Sequence, residues 1–337
     1  MRNLVHGIIS NFRTILMIIN TIALLGGLVL LIFSADRFVD GAVSIAKTFG
    51  ISPLLIGLTI VGLGTSAPEI LVSAIASWQG NFGLAIGNAL GSNIANIGLI
   101  LGATALISPL GFHSRLLKRE LPVLLVVSAV CYGLAFDGLS IVDSIIMITG
   151  LILFLWWLVY TAKNDMRKDI LAVEFEEELS DGLPLYKAWV YFILGLLGLM
   201  ISSKILVWAA ANIAQYFGVS DLVIGLTIVA LGTSLPELAA SISSVLKNED
   251  DLAVGNVIGS NMYNLLAVYS VPGLFSSGSV GEHVLFRDFP VMLGFTVGLF
   301  VLGFSFFKPG KISRFEGGIL LFCYVTYQCF LYQSTIS

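Results

Sequence analysis

Charged side chains are scarce in this sequence. Asp, Glu, Lys and Arg make up 11% of its 337 residues, less than half the roughly 25% of an ordinary soluble domain, which excludes a chain folded around one core with water on every side. Histidine and cysteine number only three each. His6, His113 and His283 fall in terminal or connecting segments, and Cys131, Cys323 and Cys329 lie inside apolar runs without metal-type spacing, so neither a zinc site nor a disulfide framework is expected. There is no His-Glu-x-x-His, no Gly-x-Ser-x-Gly and no Cys–His arrangement, which argues against an enzyme and gives no sign of a cofactor. A net charge of −4 comes with no basic patch or aromatic platform, so nucleic acid is not an expected partner. No obligatory protein partner is implied either.

Apolar residues, in contrast, make up 57% of the chain. A hydrocarbon core of about 30 Å takes about 20 apolar residues per helix, and ten stretches of that kind occur, near 15–38, 53–77, 83–107, 121–136, 141–162, 188–216, 222–246, 252–275, 288–306 and 314–333. The expectation is an all-α integral membrane protein with ten transmembrane helices and lipid as its surroundings. Arg13 before the run Ile15–Phe33 mimics a signal peptide, but no small-residue cleavage site follows, and the run is read as the first span. With both termini outside, thirteen of the seventeen Lys and Arg residues fall on the inner side, against Arg2, Arg13 and Arg287 on the outer; Lys204 lies within a span. That excess makes the inner side cytoplasmic.

One stretch appears twice. Gly57-Leu-Thr-Ile-Val-Gly-Leu-Gly-Thr-Ser-Ala-Pro-Glu69 returns as Gly225-Leu-Thr-Ile-Val-Ala-Leu-Gly-Thr-Ser-Leu-Pro-Glu237, and Gly87-Asn-Ala-Leu-Gly-Ser-Asn-Ile-Ala-Asn96 as Gly255-Asn-Val-Ile-Gly-Ser-Asn-Met-Tyr-Asn264. The offset is the same for both blocks, 225 − 57 = 168 and 255 − 87 = 168, and about half the positions from 57 to 96 are identical. Ser34 and Ser202, Gly50 and Gly218, and Arg119-Glu120-Leu-Pro122 and Arg287-Asp288-Phe-Pro290 extend the match; beyond it the register slips, with Asp143 and Glu316 as equivalents opening the fifth and tenth spans. Five spans separate the starts of the two copies, so the copies cross the membrane in opposite directions. This divides the chain into a first five-helix repeat at 1–162 with motifs 57–69 and 87–96, an acidic cytoplasmic linker at 163–184, and a second repeat at 185–337 with motifs 225–237 and 255–264.

Ionisable groups inside a membrane are costly and mark function. Glu69 and Glu237 have no positive partner in either motif. Pro68 and Pro236 each remove a helical hydrogen bond four residues back, freeing the carbonyls of Gly64 and Gly232 for a ligand that wants oxygen. Ser92 with Asn96, and Ser260 with Asn264, are four apart and so share a helix face. Such an oxygen-only inventory suits a hard cation of the calcium or sodium type. Glycines four apart, Gly87 with Gly91 and Gly255 with Gly259, form small faces that let the motif helices pack closely.

These motifs closely resemble those of the sodium/calcium exchanger family of cation/calcium antiporters, especially its short prokaryotic members, and the similarity spans nearly the whole chain. The resemblance implies a secondary antiporter of the prokaryotic inner membrane that exchanges calcium for sodium by alternating access. It implies Glu69 and Glu237 as central ligands, with Thr65, Ser66, Thr233, Ser234, Ser92, Ser260, Asn96 and Asn264 adding oxygens and the carbonyls of Gly62 and Ala230 beside them. Many relatives carry aspartate where this chain has Asn96 or Asn264, which leaves the stoichiometry open. The alternatives are calcium/proton exchange, potassium-dependent calcium/sodium exchange and, from a different class, a cation channel. Orientation is testable by labelling: with native thiols removed, Ser180→Cys is expected to react only from the cytoplasmic face, and reaction only from outside would overturn the orientation.

Overall fold

The computed structural model describes residues 2–111, 119–176, 183–218, 230–303 and 310–336. In chain order the helices are α1 (Arg2–Phe49), α2 (Pro53–Thr65), α3 (Ala67–Trp78), α4 (Phe82–Ile107), α5 (Glu120–Ala135), α6 (Ile141–Glu176), α7 (Leu185–Tyr216), α8 (Ala230–Thr233), α9 (Leu235–Leu246), α10 (Asp250–Tyr263), α11 (Val271–Phe275), α12 (Val284–Gly303) and α13 (Arg314–Ile336). Five segments are long and apolar enough to cross a bilayer: Ile15–Phe49, Phe82–Ile107, Ile141–Thr161, Leu185–Tyr216 and Val284–Gly303; α2 and α3 together make a sixth, bent by 41°. The protein is therefore a mostly helical, multi-pass membrane protein. The membrane-crossing segment ends at Thr161, beside the expected 162, and the helix itself continues to Glu176. No glycine or proline interrupts residues 163–176, so nothing stops it before the polar run. The acidic residues Glu177, Glu178 and Asp181, and Ser180, lie outside the described residues.

Local signals explain the helix ends. Ser52 caps α2 by accepting from the Leu55 amide, with Pro53 in the first turn, and Asn81 caps α4 by accepting from the Leu84 amide. Gly50 and Gly218, equivalent at 168, close α1 and α7 with φ of +60° and +81°, a conformation that favours glycine. The slipped register also has a physical cause. Ser140 and Asp143 form a reciprocal cap, the Ser140 amide donating to Asp143 Oδ2 at 2.8 Å and the Asp143 amide to Ser140 Oγ at 3.3 Å. Ser313 and Glu316 repeat it at 2.7 and 3.3 Å. Their offset is 316 − 143 = 173, five more than the motif offset.

The same two offsets relate the only β contacts among the described residues. Leu110 pairs with Ile312 in a two-residue antiparallel ladder, β1 (Leu110–Gly111) with β2 (Lys311–Ile312), and Leu139 bridges Gly278. Since 110 + 168 = 278 and 139 + 173 = 312, each contact is the counterpart of the other. These short strands are a small addition to the all-helical expectation.

Two packing units result. Helices α1 and α7 run antiparallel, with Gly41 against Phe192, Gly195 against Phe38 and Gly198 against Ser34, and an Asn212–Asn20 hydrogen bond of 3.2 Å toward the other end. Asp36 is held by Lys247 at 2.6 Å, and Lys247 also reaches Asp40 at 2.5 Å, linking α1 to the end of α9. Beside that link, partial burial raises the Glu249 carboxyl above its ordinary range, opposed by the charge of Lys47.

In the second unit α10 lies parallel to α2 with backbones touching. A Cβ added at Gly255 would sit 2.6 Å from Leu54 O, and one at Gly259 would sit 2.7 Å from Leu58 O. This is the close approach expected of the small-residue face. The counterpart contact of Gly87 and Gly91 would involve 219–229, outside the described residues. Because the obstructing atoms are backbone, Gly255→Ala is expected to cost about 1–3 kcal/mol, seen as a lower unfolding temperature in detergent, whereas Ala at the exposed Gly26 should cause no such drop.

Candidate functional site

Each motif glutamate opens a helix just beyond a break. Ser66 and Ser234 interrupt the helices with near-identical backbone angles, φ −81° and ψ −1° against φ −91° and ψ 2°. Pro68 and Pro236 stand in the first turns that follow, where their missing amides cost least. Glu69 and Glu237 are thus third in α3 and α9, and both are buried, at 1% and 2% exposure. First-turn carboxylates face the positive end of the helix dipole. The field of Glu69 reaches Glu237. Among the described residues no Lys, Arg or His forms an ion pair with either.

Around them the geometry gathers oxygens from both halves of the chain. Buried Thr65 places Oγ1 3.4 Å from Gly62 O and 3.4 Å from Ser260 Oγ, and Ser260 Oγ lies 3.5 Å from Gly62 O. So Gly62, Thr65 and Ser260 come together. Asn96 and Asn264 are buried, each beginning a π-helical segment, Asn96–Leu101 and Asn264–Val268. Such widened turns recur at functional sites. Asn96 donates from Nδ2 to Asn261 Oδ1 at 3.0 Å. Ser92 is buried one turn before Asn96. Ala230, Thr233 and Ser234 occupy the equivalent turn of the second copy, with Ser234 buried. The residues before them, including Gly225, lie outside the described residues, so the described geometry joins one half of the set.

Four buried acceptor oxygens in this region, Ser66 Oγ, Glu69 Oε2, Glu237 Oε2 and Asn264 Oδ1, have no hydrogen-bond partner among the described residues. Buried polar atoms are seldom left so. Oxygens of this kind, carboxylate, hydroxyl and amide, are the donors that hard cations take.

The expectation for the proline-freed carbonyls changes at one of the two. Gly232 O accepts from Ser203 Oγ of α7 at 2.5 Å, so one of its lone pairs is taken by protein. A hydroxyl from the neighbouring helix serves a broken ladder as well as an ion does.

Sequence reasoning also missed several polar residues. Asn256 Oδ1 accepts from Thr65 Oγ1 at 3.1 Å and its Nδ2 donates to Ser241 Oγ at 3.4 Å; Asn88 Nδ2 donates to Glu69 O at 2.9 Å; Ser73 Oγ donates to Val268 O at 2.9 Å. The signal was present, because Asn88/Asn256, Asn93/Asn261 and Ser73/Ser241 all recur at 168, and Asn88, Ser92 and Asn96 follow one another at the four-residue helical spacing.

A family model described as "Sodium/calcium exchanger protein" matches residues 19–163 and 187–333. A protein named CaxA of Alkalimonas amylolytica is 49% identical over 319 residues, 94% of this chain and 100% of that one. The sodium/calcium exchanger MaX1 of Methanosarcina acetivorans is 33% identical over 351 residues, 93% of this chain and 99% of that one. The solved structure of the sodium-calcium exchanger NCX_Mj soaked without Na+ or Ca2+ superposes with a TM-score of 0.80 at 33% identity, covering 94% of this chain and 99% of that one.

Removing the donor to Gly232 O isolates the contribution of α7 to the second break. Ser203→Ala is expected to destabilise the protein by roughly 0.6 kcal/mol and no more than about 1.7, read as a lower unfolding temperature in detergent. Unchanged stability would show that the carbonyl is served in another way.

Proposed function

The chain belongs to the sodium/calcium exchanger family, and from that premise we propose that it is a secondary antiporter exchanging calcium for sodium across a prokaryotic inner membrane. The observation that carries this reading is the set of partnerless buried oxygens on Ser66, Glu69, Glu237 and Asn264, drawn from both halves of the chain and flanked by two carboxylates without a cationic partner. Glu69 and Glu237 bind the ion directly. Thr65, Ser66, Thr233, Ser234, Ser92, Ser260, Asn96, Asn264 and the carbonyls of Gly62 and Ala230 complete alternative sets of ligands for calcium and sodium. Hydroxyl, amide and carbonyl oxygens suit both ions, which is what exchange at one site needs.

The architecture we propose is ten spans in two inverted five-helix repeats, with the linker cytoplasmic and both termini outside. Paired β contacts, paired π-helical segments, paired caps and the antiparallel α1 and α7 all support it. The ions sit near the midplane, where broken helices of the two repeats meet.

Sodium is favoured over protons as the counter-ion by the family resemblance and because the remaining ligands are neutral hydroxyl, amide and carbonyl oxygens, which bind sodium but carry no protons. Glu69→Gln and Glu237→Gln should each leave a folded, inserted protein whose calcium flux is nearly abolished. An uncompensated buried charge costs about 3–5 kcal/mol, roughly two to three orders of magnitude in affinity, and flux near the unmodified level in either variant would remove the two-glutamate site.

The family resemblance implies three sodium ions for one calcium, and at that ratio one net charge crosses per cycle, worth about 2.3 kcal/mol per 100 mV. In sodium-loaded vesicles, calcium uptake should accelerate when the interior is made positive with potassium and valinomycin. Indifference to voltage would indicate two-for-one exchange, and uptake driven by an outward proton gradient alone would indicate proton coupling.

A further inference from the structure

A hydroxyl that ligates a cation must turn its proton away from the ion. For Thr65 the structure offers three acceptors for that proton: Asn256 Oδ1 at 3.1 Å, and Gly62 O and Ser260 Oγ at 3.4 Å each. Two of the three belong to the oxygen set assigned above to the ion. A Thr65 proton directed at either of them would occupy a lone pair that the ion needs and would place a partial positive charge beside it. Only Asn256 lies outside that set, and it stands at the shortest of the measured distances.

Asn256 is suited to hold this position. It is 1% exposed and sits in α10, where Gly255 brings the backbone against α2. Its amide plane is fixed from the other side, because Nδ2 donates to Ser241 Oγ at 3.4 Å. The nitrogen therefore faces Ser241 and the oxygen faces Thr65. Ser241 lies four residues after Glu237 on α9, so one asparagine ties the glutamate-bearing helix of one half to the threonine of the other. Its counterpart at 168, Asn88, makes a different bond, donating from Nδ2 to Glu69 O at 2.9 Å.

We propose, resting on the ion site assigned above, that Asn256 is a positioning residue: it accepts the hydrogen bond of the Thr65 hydroxyl, so that the free lone pairs of Thr65, and those of Gly62 O and Ser260, face the ion. Asn256 does not itself touch the ion. Its effect passes through Thr65 and disappears when Thr65 has no hydroxyl.

The test is a double-mutant cycle on the full-length protein in sodium-loaded vesicles, reading the calcium concentration for half-maximal uptake and the maximal rate. Thr65→Val, which keeps shape and loses the hydroxyl, should raise the half-saturating calcium concentration about tenfold. Asn256→Leu should raise it about three- to tenfold with Thr65 present, with a smaller change in maximal rate, and less than twofold with Val at 65. Equal factors in both backgrounds would overturn the positioning role while leaving Thr65 in the site. No effect of Thr65→Val in the unmodified protein would overturn the assignment of Thr65 to the site, and this inference with it. Asn256→Asp keeps the acceptor and serves if the leucine variant does not insert. In that background Thr65→Val should still raise the calcium requirement by its original factor, and loss of that factor would overturn the proposal.

Discussion

Two carboxylates buried in the protein, without a cationic partner among the described residues, set the terms for the rest of the structure. Like charges in a poorly polarisable interior repel, and each loses the hydration that water would give. The chain offsets this with what it can supply: the helix breaks at Ser66 and Ser234 put Glu69 and Glu237 in first turns, where the helix dipole favours an anion. The breaks in turn need close neighbours, because irregular backbone at membrane depth survives only when other groups satisfy it. Ser203 serves one break from α7, and α10 comes within backbone contact of α2 beside the other. The glycine faces, the prolines and the hydroxyls thus serve the same pair of charges.

The site is built across the halves rather than within either. Thr65 meets Asn256 and Ser260, Ser73 meets Val268, Asn96 meets Asn261, and Tyr263 donates to Thr59 O at 3.0 Å. Either half of the chain by itself would leave these groups without these partners, so neither copy of the motifs is complete alone. Contacts of this length pass any shift of one half directly to the ligands of the other.

Much of this was legible in the sequence, and the limits have physical causes. The repeated motifs marked Glu69, Glu237, Thr65 and Ser260 because charge and oxygen are rare in apolar sequence. Span limits near 53, 107 and 216 were legible from Ser-Pro, glycine and the ends of apolar runs. The end of α6 was not, since polarity and helicity are independent once a helix has begun. The fate of Gly232 O was also hidden, because proline shows which carbonyl is released but not that Ser203, 29 residues earlier, takes it up. Asn256 and Ser241 carried a visible signal in their spacing, but a motif does not distinguish a ligand from the residue that orients it.

The link between Lys247 and the two aspartates of α1 has no counterpart at the opposite end of the molecule. Applying the motif offset, 247 − 168 = 79, 36 + 168 = 204 and 40 + 168 = 208, the corresponding residues are Gln79, Lys204 and Trp208, which cannot form that ion cluster. Exposed pairs of this kind contribute about 0–1 kcal/mol, and 1 kcal/mol is roughly a fivefold change in a population ratio. A frame duplicated by rotation would tie α1 and α7 to the motif helices alike. Lys247 breaks that symmetry, fastening α1 to α9 through a cluster of charges that salt screens.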